Sequence, residues 1–65
     1  MTVAQLINDL KTSGGWDYIW NCFIVNSEKS YHDCMNFEVK RYDYDLNDAV
    51  PVLLIWLKSP RKASA

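Results

Sequence analysis

Hydrophobic and polar residues alternate with different periods along the chain, and each period predicts a different element. Between Val3 and Leu10 the apolar residues recur every three or four positions, which is typical of an amphipathic helix. Thr2 and Gln5 have the spacing of a capping box at its start. Ser13–Gly15 predicts its end, since glycine readily adopts the left-handed conformation of a C-terminal cap. We predict an N-terminal helix.

The segment Val50–Lys58 is the longest apolar run in the chain. Such a run suits either a strand covered on both faces or a buried helical segment. Its β-branched and aromatic residues favour a strand, and Pro51 fits the first positions of one. We predict that this segment is the central strand of a sheet.

The middle of the chain predicts two further strands. Apolar and polar residues alternate over Cys34–Tyr42, which indicates a half-buried strand. Asp43–Asp48 predicts a turn, so the last two strands should form an antiparallel hairpin with a loop of about five residues. Tyr18–Val25 is rich in strand-forming residues, although Trp16–Val25 also has helical spacing, and both interpretations stay open. Asn26–Asp33 is polar and predicts a loop.

Together these elements predict an α+β fold in which one N-terminal helix packs on a three-stranded, mainly antiparallel meander. Residues 1–58 should form a single small domain, and residues 59–65 a disordered C-terminal tail. A chain of 65 residues buries a smaller fraction of its surface than a longer chain does, so we expect marginal stability.

Composition and charge narrow the classes of function. Nine aromatic residues exceed what so small an interior can hold, so several should lie at the surface and favour a partner. A net charge of −1 argues against binding nucleic acid through charge. Without a membrane-length apolar stretch or signal-peptide features we expect a cytoplasmic protein, in which Cys22 and Cys34 are free thiols.

Two groups of residues were weighed as chemical sites. Asp43–Asp48 begins like a calcium-binding loop, but Asp48 stands where that loop needs glycine and Leu54 where it needs glutamate. It is better interpreted as a solvated acidic turn that could meet a basic partner. His32 with Cys34 and Cys22 lacks the pair spacing of a zinc site and the third group of a catalytic triad. We predict no metal, no cofactor and no enzymatic activity.

The opening segment, Met1-Thr2-Val3-Ala4-Gln5-Leu6-Ile7-Asn8-Asp9-Leu10, resembles the start of small uncharacterised phage and prophage proteins. Those proteins open with a Thr-Val-x-x-Leu-Ile-x-x-Leu helix followed by a few strands. The resemblance covers about ten residues and implies a phage-borne accessory protein that binds a host or phage macromolecule; if it is phage-encoded, the host cytoplasm is the expected location. It implies no catalytic residue.

The leading hypothesis is a non-enzymatic accessory protein that binds a larger host or phage protein and inhibits or redirects it. A small single-strand nucleic-acid-binding protein that stacks bases on its aromatic residues is one alternative, and a structural subunit of a homo-oligomer is another. Aromatic residues should anchor the protein contact, with acidic residues beside them. The candidate binding residues are Trp16, Trp20, Tyr42, Tyr44, Asp43 and Asp45.

Overall fold

A computed structural model of the protein describes residues 1–46 and 50–59 and shows one α-helix beside a three-stranded sheet. The helix is α1, Val3–Ser13, and the strands are β1, Asn21–Ile24; β2, Val39–Asp45; and β3, Val52–Leu57. Two short 3₁₀ helices, Gly15–Tyr18 and Tyr31–Cys34, precede β1 and β2. The α+β prediction is therefore confirmed.

The helix begins and ends where its sequence predicts. The backbone N–H of Gln5 donates to the Thr2 hydroxyl at 3.2 Å, and the Thr2 N–H donates to the Gln5 side chain at 2.8 Å. This is the reciprocal pair of a capping box. At the other end Gly14 has a φ of 87°, a left-handed conformation that glycine adopts without steric cost, and its N–H donates to the Lys11 carbonyl.

The order of strands in the sheet is β1-β3-β2, which places the apolar run in the centre as predicted. β2 and β3 form the predicted antiparallel hairpin, whereas β1 runs parallel to β3. The predicted meander is wrong for this reason: the sheet is mixed, and β3 lies between two strands that precede it in the chain. A strand that is apolar on both faces gains most from the central position, where neighbours flank it on both sides.

The strand boundaries also differ from the predicted ones. The strand predicted from Tyr18 is only Asn21–Ile24, because Gly15–Tyr18 continues from the helix end as a 3₁₀ turn. The strand predicted from Cys34 to Tyr42 begins at Val39, because the chain around Cys34 forms the second 3₁₀ helix.

The hairpin extends further than predicted. Asp43 and Asp45 were assigned to the turn, yet both lie in β2 and pair with residues of β3. Antiparallel pairing with a strongly apolar strand outweighs the low strand propensity of aspartate. Residues 47 and 48 of the predicted turn and residues 60–65 of the predicted tail lie outside the described residues.

The N-terminus is joined to the segment that leads into β2. The Val39 N–H donates to the Met1 carbonyl at 2.8 Å, and the Val3 N–H donates to the Phe37 carbonyl at 3.0 Å. The Ala4 N–H donates to the Met35 carbonyl, also at 3.0 Å. The Val3 and Ala4 bonds satisfy amides of the first helical turn that have no partner within the helix, and all three bonds join the start of α1 to the segment that leads into β2.

The sheet has two unlike faces. The face that carries Leu53, Ile55 and Leu57 is sealed, with exposures of 0%, 0% and 1%. We call it the covered face, since its residues share one buried cluster with the apolar side of α1. That cluster consists of Val3, Leu6, Ile7, Leu10, Cys22, Ile24, Cys34, Val39, Leu53, Ile55 and Leu57. Side chains alternate along a strand, so the other residues of β3 point to the opposite face.

Candidate interaction surface on the open sheet face

We call the opposite side of the sheet the open face. The register places its residues in three rows across β1, β3 and β2, the last row following from the bond between the Val25 N–H and the Ile55 carbonyl. The rows are Asn21, Val52 and Asp45; Phe23, Leu54 and Asp43; and Val25, Trp56 and Arg41. Two strands thus contribute mainly apolar residues, and the third contributes charged ones.

The apolar part of the open face is accessible to solvent. Phe23 is 50% exposed and Val25 is 46% exposed. Cys22 and Ile24, which alternate with them, are buried on the covered face. The open-face residues of β3 are half-buried by their neighbours in the sheet. Contiguous apolar side chains that stay accessible on a folded domain are typical of a contact surface.

One end of the open face is organised by Arg41 and Trp56. The guanidinium carbon of Arg41 lies 3.8 Å from the centre of the Trp56 ring. A planar guanidinium stacked on an indole keeps its N–H donors at its rim, where they can bind a carboxylate. This arrangement holds a positive charge at one corner of the open face.

The candidate acidic residues lie on the same face as Arg41, further along β2. Asp43 stands beside Leu54 and Asp45 beside Val52. The Asp43 carboxylate accepts the N–H of Tyr44 at 2.8 Å. The charged edge of the open face therefore runs from a cation at one end to two carboxylates at the other.

Tyr42 and Tyr44 point to the other side of the sheet, because they pair with Ile55 and Leu53 of the covered face. Both rings are more than two-fifths exposed and meet edge to face at 6.2 Å between centroids. Burial raises the pKa of the Tyr44 hydroxyl, and the neighbouring Tyr42 raises it further. The structure thus separates these two tyrosines from Asp43 and Asp45, although the four residues alternate in the sequence.

The two candidate tryptophans lie near the outer edge of β1. Trp16 is half-buried and packs against the core; its ring contacts Tyr31 edge to face at 6.0 Å between centroids, and the Lys11 amine lies 5.8 Å from its centre. Trp20, by contrast, is 74% exposed. Both line a shallow pocket of about 230 Å³ together with Ile19 and Tyr31. Trp16 therefore has a structural role beside any contact it makes.

The open face contains residues that the sequence analysis did not select as binding residues, namely Phe23, Val25, Leu54, Trp56 and Arg41. A signal for them existed in the chain. The apolar run in β3 predicted a strand covered on both faces, while the periodicity predicted a single helix, which can cover one face. The mismatch between these two predictions indicates an uncovered face.

Both edges of the sheet are partly blocked against addition of a further strand. The Val25 N–H bonds to β3, so by alternation the backbone groups of Cys22 point away from the sheet. The Cys22 N–H donates to the side chain of Asn21 at 2.8 Å, just as Tyr44 on β2 donates to Asp43. A side-chain oxygen that occupies an edge N–H competes with an incoming strand. We therefore place the interaction surface on the face rather than at an edge.

Both cysteine side chains are buried, whereas the histidine is exposed. Cys34 is sealed in the core, where burial raises the pKa of its thiol against the opposing effects of Lys29 and Ser27. His32 is exposed on the same 3₁₀ helix and stacks on Tyr31 at 4.0 Å between ring centroids. The predictions of a loop at His32 and a strand at Cys34 are therefore wrong, because both residues lie in the 3₁₀ helix Tyr31–Cys34.

Metal and membrane sites were also sought in residues 1–46 and 50–59. Within those ranges no three His, Cys, Asp or Glu side chains lie close enough together to hold a metal ion. The same part of the chain has no helix with the length and hydrophobicity needed to cross a membrane. Burial raises the pKa of the Cys22 thiol to about 11, and both cysteines are free.

Comparison with known proteins adds no assignment to this geometry. No protein-family model matches the sequence, and no curated protein or solved structure matches it.

Proposed function

We propose that the protein acts without catalysis, by docking its open face on a larger protein and so inhibiting or redirecting that protein. One observation carries this proposal: an apolar, solvent-accessible sheet face that α1 leaves uncovered. An interface needs a desolvated apolar centre and a polar rim. The open face has both, with Phe23, Leu54 and Trp56 at the centre and the charged residues of β2 along one side.

The nature of the larger protein follows from the resemblance at the N-terminus. We propose that the larger protein is a host or phage protein in the host cytoplasm, as expected of a phage or prophage accessory protein. Binding through an existing face needs little rearrangement of the domain, so most of the favourable contact energy is retained.

The test is capture of the target on immobilised protein, with variants matched by face. Phe23→Ala removes the most exposed aromatic side chain of the open face, and Tyr42→Ala removes a comparable exposed ring from the other side. We expect the first to weaken capture at least tenfold and the second to leave it nearly unchanged, since a central aromatic anchor contributes about 2 kcal/mol or more.

The captured protein is then identified by mass spectrometry, purified and titrated against each variant. Equal loss with Phe23→Ala and Tyr42→Ala would place the contact elsewhere on the domain. Full retention with Phe23→Ala and Leu54→Ala would reject the open face as the docking surface. Circular dichroism of all three variants verifies that they remain folded.

A second candidate function draws on the same residues. Phe23, Trp56 and Arg41 on one open face are the kinds of residue that stack and hold bases of a single strand. The carboxylates of Asp43 and Asp45 beside them would repel phosphate, so this function has less support. It predicts quenching of tryptophan fluorescence by a single-stranded oligonucleotide, with affinity that falls steeply as salt is added.

A further inference from the structure

We propose that, when no other partner is bound, two copies of the chain associate weakly through the open face. This inference rests on the proposed function, because it takes the open face as a docking surface. It adds the identity of one occupant, which the charges of the open face specify. A two-fold dimer brings the same surface of both copies together, so that surface must be complementary to itself.

Self-complementarity arises from the order of charges on β2. Arg41 and Asp43 lie two residues apart on the same face, a separation of about 7 Å along the strand. When β2 of one copy lies antiparallel over β2 of the other, the cation of each copy can lie over the anion of the other. A surface with one sign of charge would repel its copy.

The symmetry axis can then be chosen on physical grounds. An axis parallel to the strands would place charged β2 over apolar β1 of the second copy. An axis perpendicular to the strands reverses β2 over β2. If it passes level with Asp43, each Arg41 meets Asp45 of the other copy, but the two Asp43 carboxylates meet at the centre and repel. If it passes between Arg41 and Asp43, each Arg41 meets Asp43 of the other copy, and opposite charges meet nearest the axis.

The preferred axis also pairs the apolar residues. With the axis between the rows of Arg41 and Asp43, Trp56 of each copy lies over Leu54 of the other. Val25 of each copy likewise lies over Phe23 of the other. Phe23 lies within β1 and Val25 directly after it, and both side chains are exposed. Two sheets stacked face to face at about 10 Å interdigitate such side chains, as in a β-sandwich.

The size of the surface sets the expected strength. Three strands spaced about 4.8 Å apart and about 20 Å long present roughly 300 Å² in projection. A stable interface buries about 800 Å² per partner, so this dimer should be weak and depend on concentration. A weak dimer is compatible with the proposed function, because a larger target can displace the second copy from the open face.

The test is sedimentation equilibrium of the full chain up to millimolar concentration, with charge-reversed variants. Arg41→Asp places two like-charged pairs in its own dimer, and so does Asp43→Arg. We expect each to raise the dimer dissociation constant at least tenfold. Mixed in equal amounts they form only opposite-charge pairs across the interface, so dimerisation should return to within about threefold of wild type.

The double variant Arg41→Asp/Asp43→Arg should likewise dimerise nearly as the wild type does. Because Arg41 also stacks on Trp56 and Asp43 accepts the Tyr44 N–H, thermal unfolding of each variant is measured alongside. If a single variant unfolds, the double variant and a Leu54→Lys variant, which should abolish the dimer, decide the question.

A wild-type chain that stays monomeric at millimolar concentration overturns this inference, and so does a mixture that fails to recover dimerisation. Either result leaves the proposed function standing if target capture still depends on Phe23. Conversely, a dimer that obeys the charge pairing together with capture that ignores Phe23 would remove the proposed function and retain the dimer.

Discussion

The two faces of the sheet are built from adjacent residues of the same strands but differ in what lies over them. Leu53 and Leu54 follow one another in β3, yet Leu53 is fully buried beneath α1 and Leu54 is half-buried on the open face. Cys22 and Phe23 in β1 show the same contrast. The residues of the covered face therefore stabilise the fold. The apolar residues of the open face stabilise it less than fully buried residues of the same type.

The largest expected effect is the loss of stability when Leu53 is truncated, and the neighbouring Leu54 provides the comparison. Leu53→Ala should lower the free energy of unfolding by about 2 to 5 kcal/mol, because it leaves a cavity in a sealed core. Leu54→Ala should lower the free energy of unfolding by about 1 kcal/mol or less, since the half-buried Leu54 side chain removes less apolar surface from water on folding than Leu53 does. Urea denaturation of both variants at low protein concentration measures the difference. A Leu54→Ala cost equal to that of Leu53→Ala would mean that the open face is covered even in dilute solution.

The next prediction uses the thiol of the covered face. Burial raises the folded-state pKa of Cys22 from 9.0 to about 11, so between these values the unfolded thiol loses its proton while the folded one keeps it. Stability is therefore unaffected below pH 9 and falls as pH rises towards 11. Cys22 should account for about 1 to 2 kcal/mol of the loss at pH 10.5, and this part should be missing in Cys22→Ala.

The measurement is urea denaturation of wild type and Cys22→Ala at pH 8 and pH 10.5. Burial also raises the pKa of the Cys34 thiol, but this group is common to both chains and its effect cancels in the difference. If the two chains lose equal stability between these pH values, the Cys22 thiol has an ordinary pKa and is less buried than the structure shows.

A smaller effect is expected where β1 ends and Asn26 continues its pairing with β3. The Leu57 N–H donates to the Asn26 side-chain oxygen at 2.9 Å, and the Asn26 side-chain amide donates to the Leu57 carbonyl at the same distance. The side chain thus satisfies both backbone groups of Leu57 on the side facing β1. Asn26→Ala should cost about 1 to 2 kcal/mol, because it leaves these part-buried groups without protein partners.

Asn36 provides the matched control for Asn26, since it is an exposed asparagine outside the strands. Asn36→Ala should change the free energy of unfolding by no more than about 0.5 kcal/mol. Amide hydrogen exchange gives an independent readout: the Leu57 amide should exchange faster in Asn26→Ala and unchanged in Asn36→Ala. Equal exchange rates in both variants would contradict the bonding seen here.

The contrast between the faces also explains what the sequence could predict. The helix and its caps depend on residues within a few positions of one another, so Thr2, Gln5 and Gly14 sufficed to place it. The central position of β3 followed from its continuous apolar run. The parallel direction of β1 did not follow, because the same alternation of residues fits β1 in either direction beside β3 and no local residue decides between them.

The candidate site was predictable only in part for a related reason. Tyr42, Asp43, Tyr44 and Asp45 are adjacent in sequence and were grouped as one aromatic and acidic surface. Once the segment is a strand, alternation sends the tyrosines to one face and the aspartates to the other. Extending the predicted strand by three residues would have revealed the separation, but aspartate is uncommon in strands and favoured the turn.

The smallest expected effect concerns the helix that distinguishes the two faces. Thr2→Ala removes the hydroxyl that accepts the Gln5 N–H and should cost about 1 kcal/mol. Thr12 is the control: its hydroxyl donates to the Asn8 carbonyl in the last turns, and Thr12→Ala should be neutral or slightly stabilising because alanine has the higher helix propensity. Thermal denaturation of both variants checks the difference in sign.

The same variant also tests whether the two faces are independent. Since the cap supports only the layer over the covered face, Thr2→Ala should leave target capture through Phe23 unchanged at temperatures where the domain stays folded. A parallel loss of capture would show that the open face depends on the helix for its shape.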